Sequence, residues 1–179
     1  MRRILHPVVM GGTARHRDGA HRGNAWLTPA WFVEEIRAAF GGRIDLDPCT
    51  EPTHPTKARS FVTAEDDGLR RSWRGRVFVN PPYSPSEPWI DKAIAASKAG
   101  ARVYMLLPVR TDTGYQQRLL AAARDVLFIH RRLKFVLADG GKSGSPAFGS
   151  MVVGLNVSTA PLAHLGRRLE QPDGIGDAA

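Results

Sequence analysis

The sequence predicts an α/β fold: a mostly parallel sheet with helices on both faces and a C-terminal hairpin. Three observations predict it. Apolar runs of strand length alternate with segments whose apolar residues recur at helical spacing. The longest such run, ARVYMLLPV, is continuous, as a strand buried on both faces requires. The chain has 179 residues, 42% of them hydrophobic and 23% charged, which is enough for one core and too apolar for a disordered segment.

The elements follow in order. Residues 1–23 hold Arg2, Arg3, Arg15, Arg17 and Arg22 among glycines with no apolar period, so a basic flexible arm is expected there. A single domain is expected over 24–170. Thr28 reads as a helix cap with Pro29 in the first position; Trp31, Phe32, Ile36, Ala39 and Phe40 form its apolar stripe, and Gly41-Gly42 ends it. RIDLDPCT has the form of a short strand ending in acidic residues, and RSFVT is a second strand. RVFVNPPY is a third, stopped by two prolines that end pairing and open a loop.

PSEPWIDKAIAASKAG is helical in period with Gly100 as its stop, ARVYMLLPV is the buried strand, and YQQRLLAAAR is a further helix. DVLFIHRRLKF and SMVVGLNV are the hairpin strands, joined by DGGKSGSPAFGS. A short helix is expected around 161–170, and 171–179 reads as a flexible tail.

Composition excludes several classes. Lys and Arg total 25 against 17 Asp and Glu, a net charge of +8 that favours a polyanionic partner. One cysteine, Cys49, excludes an internal disulfide, and no Cys/His spacing matches a zinc site, so no metal is expected. No apolar run approaches the ~20 residues that span a bilayer, and MRRILHPVVMGG lacks the form of a signal peptide. A cytoplasmic protein without membrane contact is the expectation.

In an open α/β sheet, ligands bind beyond the carboxyl ends of the strands. The residues there are Asp45, Asp47 and Pro48, then Asp66 and Asp67, then Asn80-Pro81-Pro82-Tyr83, then Arg110-Thr111-Asp112. The tetrapeptide carries the most specific chemistry. An amine conjugated to an aromatic ring is a poor nucleophile because its lone pair is delocalised. The Asn80 amide oxygen and the Pro81 carbonyl can both accept hydrogen bonds from such an amine, localising that pair on nitrogen. Pro81 and Pro82 fix the backbone, and Tyr83 offers a π-face to a planar group. The same four residues also describe an ordinary proline-rich turn, so their context decides.

That context is Trp26-x-Thr28-Pro29, Asp45-Leu46-Asp47-Pro48-Cys49, Glu65-Asp66-Asp67-Gly68-Leu69 with Trp73, Gly75 through Tyr83, Leu107 through Thr113, and Arg132-Leu133-Lys134-Phe135. In this order the motifs resemble the phage-type DNA N6-adenine methyltransferases, over most of residues 26–153. The resemblance implies a Rossmann-like methyltransferase fold. It is a trimmed one, because about twenty residues between Asp47 and Asp66-Asp67 are too few for two helix–strand units.

The resemblance also implies S-adenosyl-L-methionine as methyl donor and DNA as substrate, with the target adenine flipped from the duplex and methylated on N6 by direct displacement. Thr28, Pro29, Asp45, Asp47 and Pro48 are then cofactor-binding, Asp47 near the donor end. Asp66 and Asp67 are assigned to the ribose hydroxyls or adenine amine, in either order. Asn80, Pro81, Pro82 and Tyr83 form the catalytic motif. Cys49 is structural, since an amine needs no cysteine nucleophile.

Arg110, Arg131, Arg132 and Lys134 are assigned to DNA, the last three on the strand before the final hairpin. Arg70, Arg71, Arg74 and Arg76 form a second basic cluster. A monomer or weak dimer in a bacterial host cytoplasm is expected. The alternatives are a basic DNA-binding protein with an inactive methyltransferase core, and a methyltransferase acting on RNA or a protein amide.

Overall fold

The computed structural model describes residues 26–137 and 147–171. The expected arm at 1–23, residues 138–146 of the Gly/Ser-rich connection and the tail from 172 lie outside the described residues. In chain order the elements are β1 (Trp26–Leu27), α1 (Ala30–Ala39), β2 (Leu46–Asp47), β3 (Ser60–Phe61), β4 (Arg76–Val79), α2 (Glu87–Lys98), β5 (Arg102–Pro108), α3 (Gly114–Ala122), β6 (Asp125–Ile129), β7 (Val136–Leu137), β8 (Ser150–Leu155) and β9 (Gly166–Glu170). Short 3-10 turns occupy Ala64–Asp66, Gly68–Arg70 and Ala160–Leu165.

Seven strands form one sheet in the order β3-β2-β4-β5-β8-β6-β9, and β1 pairs with β7 separately. β2, β3, β4, β5 and β6 point one way; β8 and β9 run against them, and β8 and β6 make the antiparallel C-terminal pair. This is the mostly parallel α/β sheet expected of a trimmed Rossmann-like methyltransferase fold. The connections β2–β3 and β3–β4 contain no α-helix, which is where the trimming falls.

Strand periodicity sorts the core onto two faces. Val77 and Val79 of β4, Val103, Met105 and Leu107 of β5, and Met151, Val153 and Leu155 of β8 pack under Ile90 and Ala93 of α2 and Leu119 of α3. The intervening Phe78, Tyr104, Leu106 and Val152 pack on the other face under Phe32, Val33 and Ile36 of α1 and Leu162. A continuous apolar run is therefore needed in β5, because alternate residues serve opposite faces.

Three expectations are corrected. The helix around 161–170 is instead a 3-10 turn over Ala160–Leu165 followed by strand β9. A Cβ at Gly166 would lie 1.9 Å from the Phe128 carbonyl, so only glycine lets this segment approach β6 and pair along its open edge. The strand expected over DVLFIHRRLKF stops at Ile129, so Arg131, Arg132 and Lys134 stand on the irregular segment after it. Leu133 and Phe135 alternate into the core as in a strand, yet the next strand is β7, which pairs with β1. Thr28 does not cap α1: Pro29 is the N-cap, without a side-chain cap, and the Thr28 hydroxyl faces Asn80.

At the opposite end of the sheet from the strand carboxyl ends, Asp125 is buried and anchors the C-terminal elements. It accepts hydrogen bonds from Ser158 Oγ (2.8 Å), Thr159 N (2.7 Å) and Arg168 Nε (3.1 Å). Burial by itself raises its pKa, but the donors from Thr159, Ser158 and Arg168 outweigh it and hold the carboxyl below its ordinary value. A depressed carboxyl stabilises the fold above the unfolded pKa and loses that contribution as pH falls through the folded one. Asp125→Ala is expected to cost about 2 kcal/mol at neutral pH, since it strands the buried Thr159 N–H and removes the buried partner of Arg168, which keeps only Glu170 and Ser158. Thermal melts checked across pH should show the gap from wild type closing in acid.

Candidate active site

The chain leaves β2 toward β3 on one side, while β4 leads to β5 on the other. The sheet therefore changes direction between β2 and β4, where a crevice opens beyond the strand ends. A cleft lies there, and its walls include Thr28, Asp47, Thr56, Asn80, Pro81 and Tyr83. Val77 through Val79 are fully buried, which fixes the end of β4 and sets Asn80 at the rim.

Asn80 is held from two sides. Its Nδ2 donates to Thr28 Oγ1 at 3.2 Å, and its backbone carbonyl accepts from Cys49 Sγ at 3.3 Å. Pro81 is buried and Pro82 exposed. The Tyr83 ring lies 6.3 Å from Phe135 and 5.5 Å from Phe148, both nearly perpendicular, so neither covers it in a parallel stack. The Tyr83 hydroxyl is buried with no hydrogen-bond partner among the described residues, and burial raises its pKa.

Asp47 lines the same cleft as Asn80 and is 3% exposed. It accepts from Thr56 Oγ1 at 2.6 Å and from Cys49 N at 3.2 Å. Arg37 of α1 secures the loop by donating to the Thr56 carbonyl at 2.9 Å. Burial raises the Asp47 pKa against the lowering effect of these donors. Cys49 is a thiol rather than a thiolate: burial pushes its pKa well up, and neighbouring Asp47 adds to the rise. Protonated, it donates to the Asn80 carbonyl and is a poor nucleophile.

The other residues singled out in the sequence divide. Thr28 lines the cleft; Pro29 and Pro48 are buried beside it. Asp45 is not brought to the cleft. It lies two residues, about 6.6 Å, back along the strand, where Arg76 Nε (2.9 Å), the Arg76 N–H (3.0 Å) and Arg43 Nε (3.0 Å) take up its carboxylate. Asp66 and Asp67 are exposed on the loop after β3. Asp66 sits 3.6 Å from Arg71, and Asp67 accepts from Leu69 N at 3.2 Å; neither is part of the cleft wall. Arg110, Arg131, Arg132 and Lys134 are exposed. Among the described residues no group of three or more His, Cys, Asp or Glu side chains forms a metal cluster, and no helix is long and apolar enough to cross a membrane.

Two residues outside the predicted site, Gly68 and Gln116, hold its loops in place. The loop after Asp47 has no glycine, but Gly68 provides the close approach from the other side. A Cβ there would lie 1.7 Å from the Pro48 carbonyl, and Trp73 Nε1 donates to the Gly68 carbonyl at 2.9 Å. The turn bearing Asp67 is thus pressed onto the backbone next to Asp47. Gly68→Ala must displace it, with an expected loss of about 1 to 3 kcal/mol, readable as a lower unfolding midpoint.

The second residue is Gln116, fully buried in α3. Its Oε1 accepts from the Arg110 N–H at 2.7 Å and its Nε2 donates to the Pro108 carbonyl at 2.8 Å, pinning the loop after β5. Its burial is not readable from the polar run YQQR. The mismatch between glutamine and a buried helix face appears only in three dimensions.

The family described as DNA N-6-adenine-methyltransferase (Dam) matches residues 17–168. A DNA N-6-adenine-methyltransferase of Haemophilus phage HP1 (strain HP1c1) is 32% identical over 120 residues, 65% of this chain and 69% of that protein. Another DNA N-6-adenine-methyltransferase, of Escherichia phage T1, is 26% identical over 110 residues, 60% of this chain but 45% of that longer protein. With a family match over most of its length, the chain belongs to the DNA N-6-adenine-methyltransferase family and is by that membership an adenine-specific DNA methyltransferase.

Proposed function

We propose that the cleft between β2 and β4 transfers a methyl group from S-adenosyl-L-methionine to the N6 amine of an adenine flipped out of DNA. The observation that supports this reading is the convergence of Asn80, Pro81 and Tyr83 with the buried carboxylate of Asp47 on one cleft at the strand ends. The donor, when bound, supplies an electrophilic methyl group on a sulfonium.

The residues fit a cationic ligand. Asp47 is buried, which raises its pKa; Thr56 and the Cys49 N–H donate to it, and the basic side chain whose charge acts on it is His54. A positive charge, ammonium or sulfonium, would favour its ionised form. Thr28 lines the same cleft, and buried Pro29 and Pro48 flank Thr28 and Asp47 in the chain. Asp66 or Asp67, on the turn held by Gly68, would accept from the donor's hydroxyls or amine.

On the acceptor side, the Asn80 amide and the Pro81 carbonyl receive the N6 hydrogens and draw the nitrogen lone pair out of conjugation. Thr28 fixes the amide plane and Cys49 fixes the backbone of the same residue. Tyr83 stacks on the base. Flipping costs about a few kcal/mol, which this stacking and hydrogen bonding offset. The reaction is a direct displacement, because a thiol with a raised pKa is unsuited to attack. Cys49→Ser keeps a donor to the Asn80 carbonyl and is expected to retain methyl transfer; abolition would indicate a covalent cysteine route.

The exposed basic side chains Arg110, Arg131, Arg132 and Lys134 engage phosphates, and the enzyme works as a monomer or weak dimer in the bacterial host cytoplasm. The test is incubation with methyl-labelled donor and DNA, RNA or protein in parallel. Label entering DNA alone is expected. Label entering RNA or protein, or DNA binding without any transfer, would refute the assignment.

A further inference from the structure

Trp31 stands apart from the core its helix builds. It is the second residue of α1, whose apolar stripe places Phe32, Val33 and Ile36 inside, yet Trp31 is 53% exposed. Its ring stands edge to face on buried Phe32, with centroids 5.4 Å apart at 88°, so the indole is braced and still open to solvent. It forms one wall of a surface groove whose other walls include His130, Arg131, Lys134 and His164, over an apolar floor that includes Leu133. His164 of the groove pairs with Glu35 of α1 at 3.1 Å.

Position links the groove to the cleft. β6 runs parallel to β4 and β5, so its carboxyl end, where His130 and Arg131 begin, lies on the sheet edge that carries Asn80. Thr28, three residues before Trp31, binds Asn80, and Phe135, one residue after Lys134, contacts the Tyr83 ring. Buried Leu133 and Phe135 anchor the backbone on which Arg131 and Lys134 are displayed.

We infer that this groove holds the DNA strand next to the adenine entering the cleft, with Trp31 stacking on an unstacked neighbouring base and Arg131 and Lys134 facing its phosphates. The inference rests on the proposed flipping of adenine. Within an intact duplex both faces of a base are covered, so an exposed indole can take a base only where stacking is broken. An aromatic platform flanked by cations is the combination that suits unpaired nucleic acid, and a polyanion is what the cations complement.

Fluorescence anisotropy with a short single-stranded oligonucleotide and with an intact duplex tests it. Trp31→Ala should weaken single-strand binding about 5- to 150-fold, the range for loss of one stacked base, and affect the duplex less. Trp31→Phe should restore most of the affinity. Arg131→Gln and Lys134→Gln should each reduce the log–log salt slope on single strands by about 0.7. Donor affinity, measured by calorimetry, should be unchanged in all four. Wild-type affinity in Trp31→Ala, or equal loss on both DNAs, would overturn the inference while leaving the methyltransferase reading intact. A wild-type protein that transfers no methyl to DNA would instead refute that reading.

Discussion

Asn80→Ala should fold, bind donor and bind DNA, yet lose most of its methyl transfer. The variant removes an acceptor that acts on the reacting amine as its charge changes, whereas ground-state binding draws on Tyr83, the phosphates and Asp47. One preorganised polar contact of this kind contributes about 2 to 4 kcal/mol to the transition state. The turnover rate should therefore fall by about 1.5 to 3 orders of magnitude with little change in donor affinity. Asn80→Asp is a useful companion, because it keeps an acceptor oxygen while altering the donation to Thr28. Partial activity there, against near-complete loss in the alanine variant, would identify the oxygen as the acting atom.

Asp47→Asn should act on the other half of the reaction. The substitution keeps a partner for Thr56 and removes the charge. Donor affinity should weaken by about 10- to 100-fold, the worth of a charge-assisted contact, with DNA affinity largely unchanged. The pH dependence has a definite sign. Burial raises the Asp47 pKa, so the wild-type carboxylate is protonated on acidification earlier than an exposed one would be. Donor affinity should fall as pH drops through that raised value, and bound cation should shift the titration back down. In Asp47→Asn this component of the pH profile should vanish. Calorimetry on both proteins between acid and neutral pH checks it; an unchanged affinity would return Asp47 to a purely structural role.

The fold was legible where burial follows from local pattern. The apolar residues of β4, β5 and β8 and the stripes of α1 and α2 define their elements without knowledge of their partners. So was the meeting of these residues, since Asn80-Pro81-Pro82-Tyr83 and Asp47 fall at strand ends by position alone and line one cleft.

Partnerships between distant residues were not legible. Asp45 and Asp47 are chemically identical in sequence; what separates them is Arg76, thirty-one residues on, which captures the first. Thr28 looked like a helix cap because its hydroxyl's actual partner lies fifty-two residues away. Arg131 through Phe135 alternates like a strand because alternate residues reach the core, although β6 ends at Ile129 and the next strand begins at Val136. Gly68 and Gly166 were unremarkable until the backbones they touch were in place.

The central claim is that this cleft methylates the exocyclic amine of adenine in DNA. Nucleoside analysis by mass spectrometry, after DNA is incubated with methyl-labelled donor and either wild type or Asn80→Ala, tests it most directly. The account predicts N6-methyldeoxyadenosine as the labelled product of the wild type and little or none from the variant. Label on a cytosine, or a variant that produces N6-methyldeoxyadenosine at the wild-type rate, would contradict it.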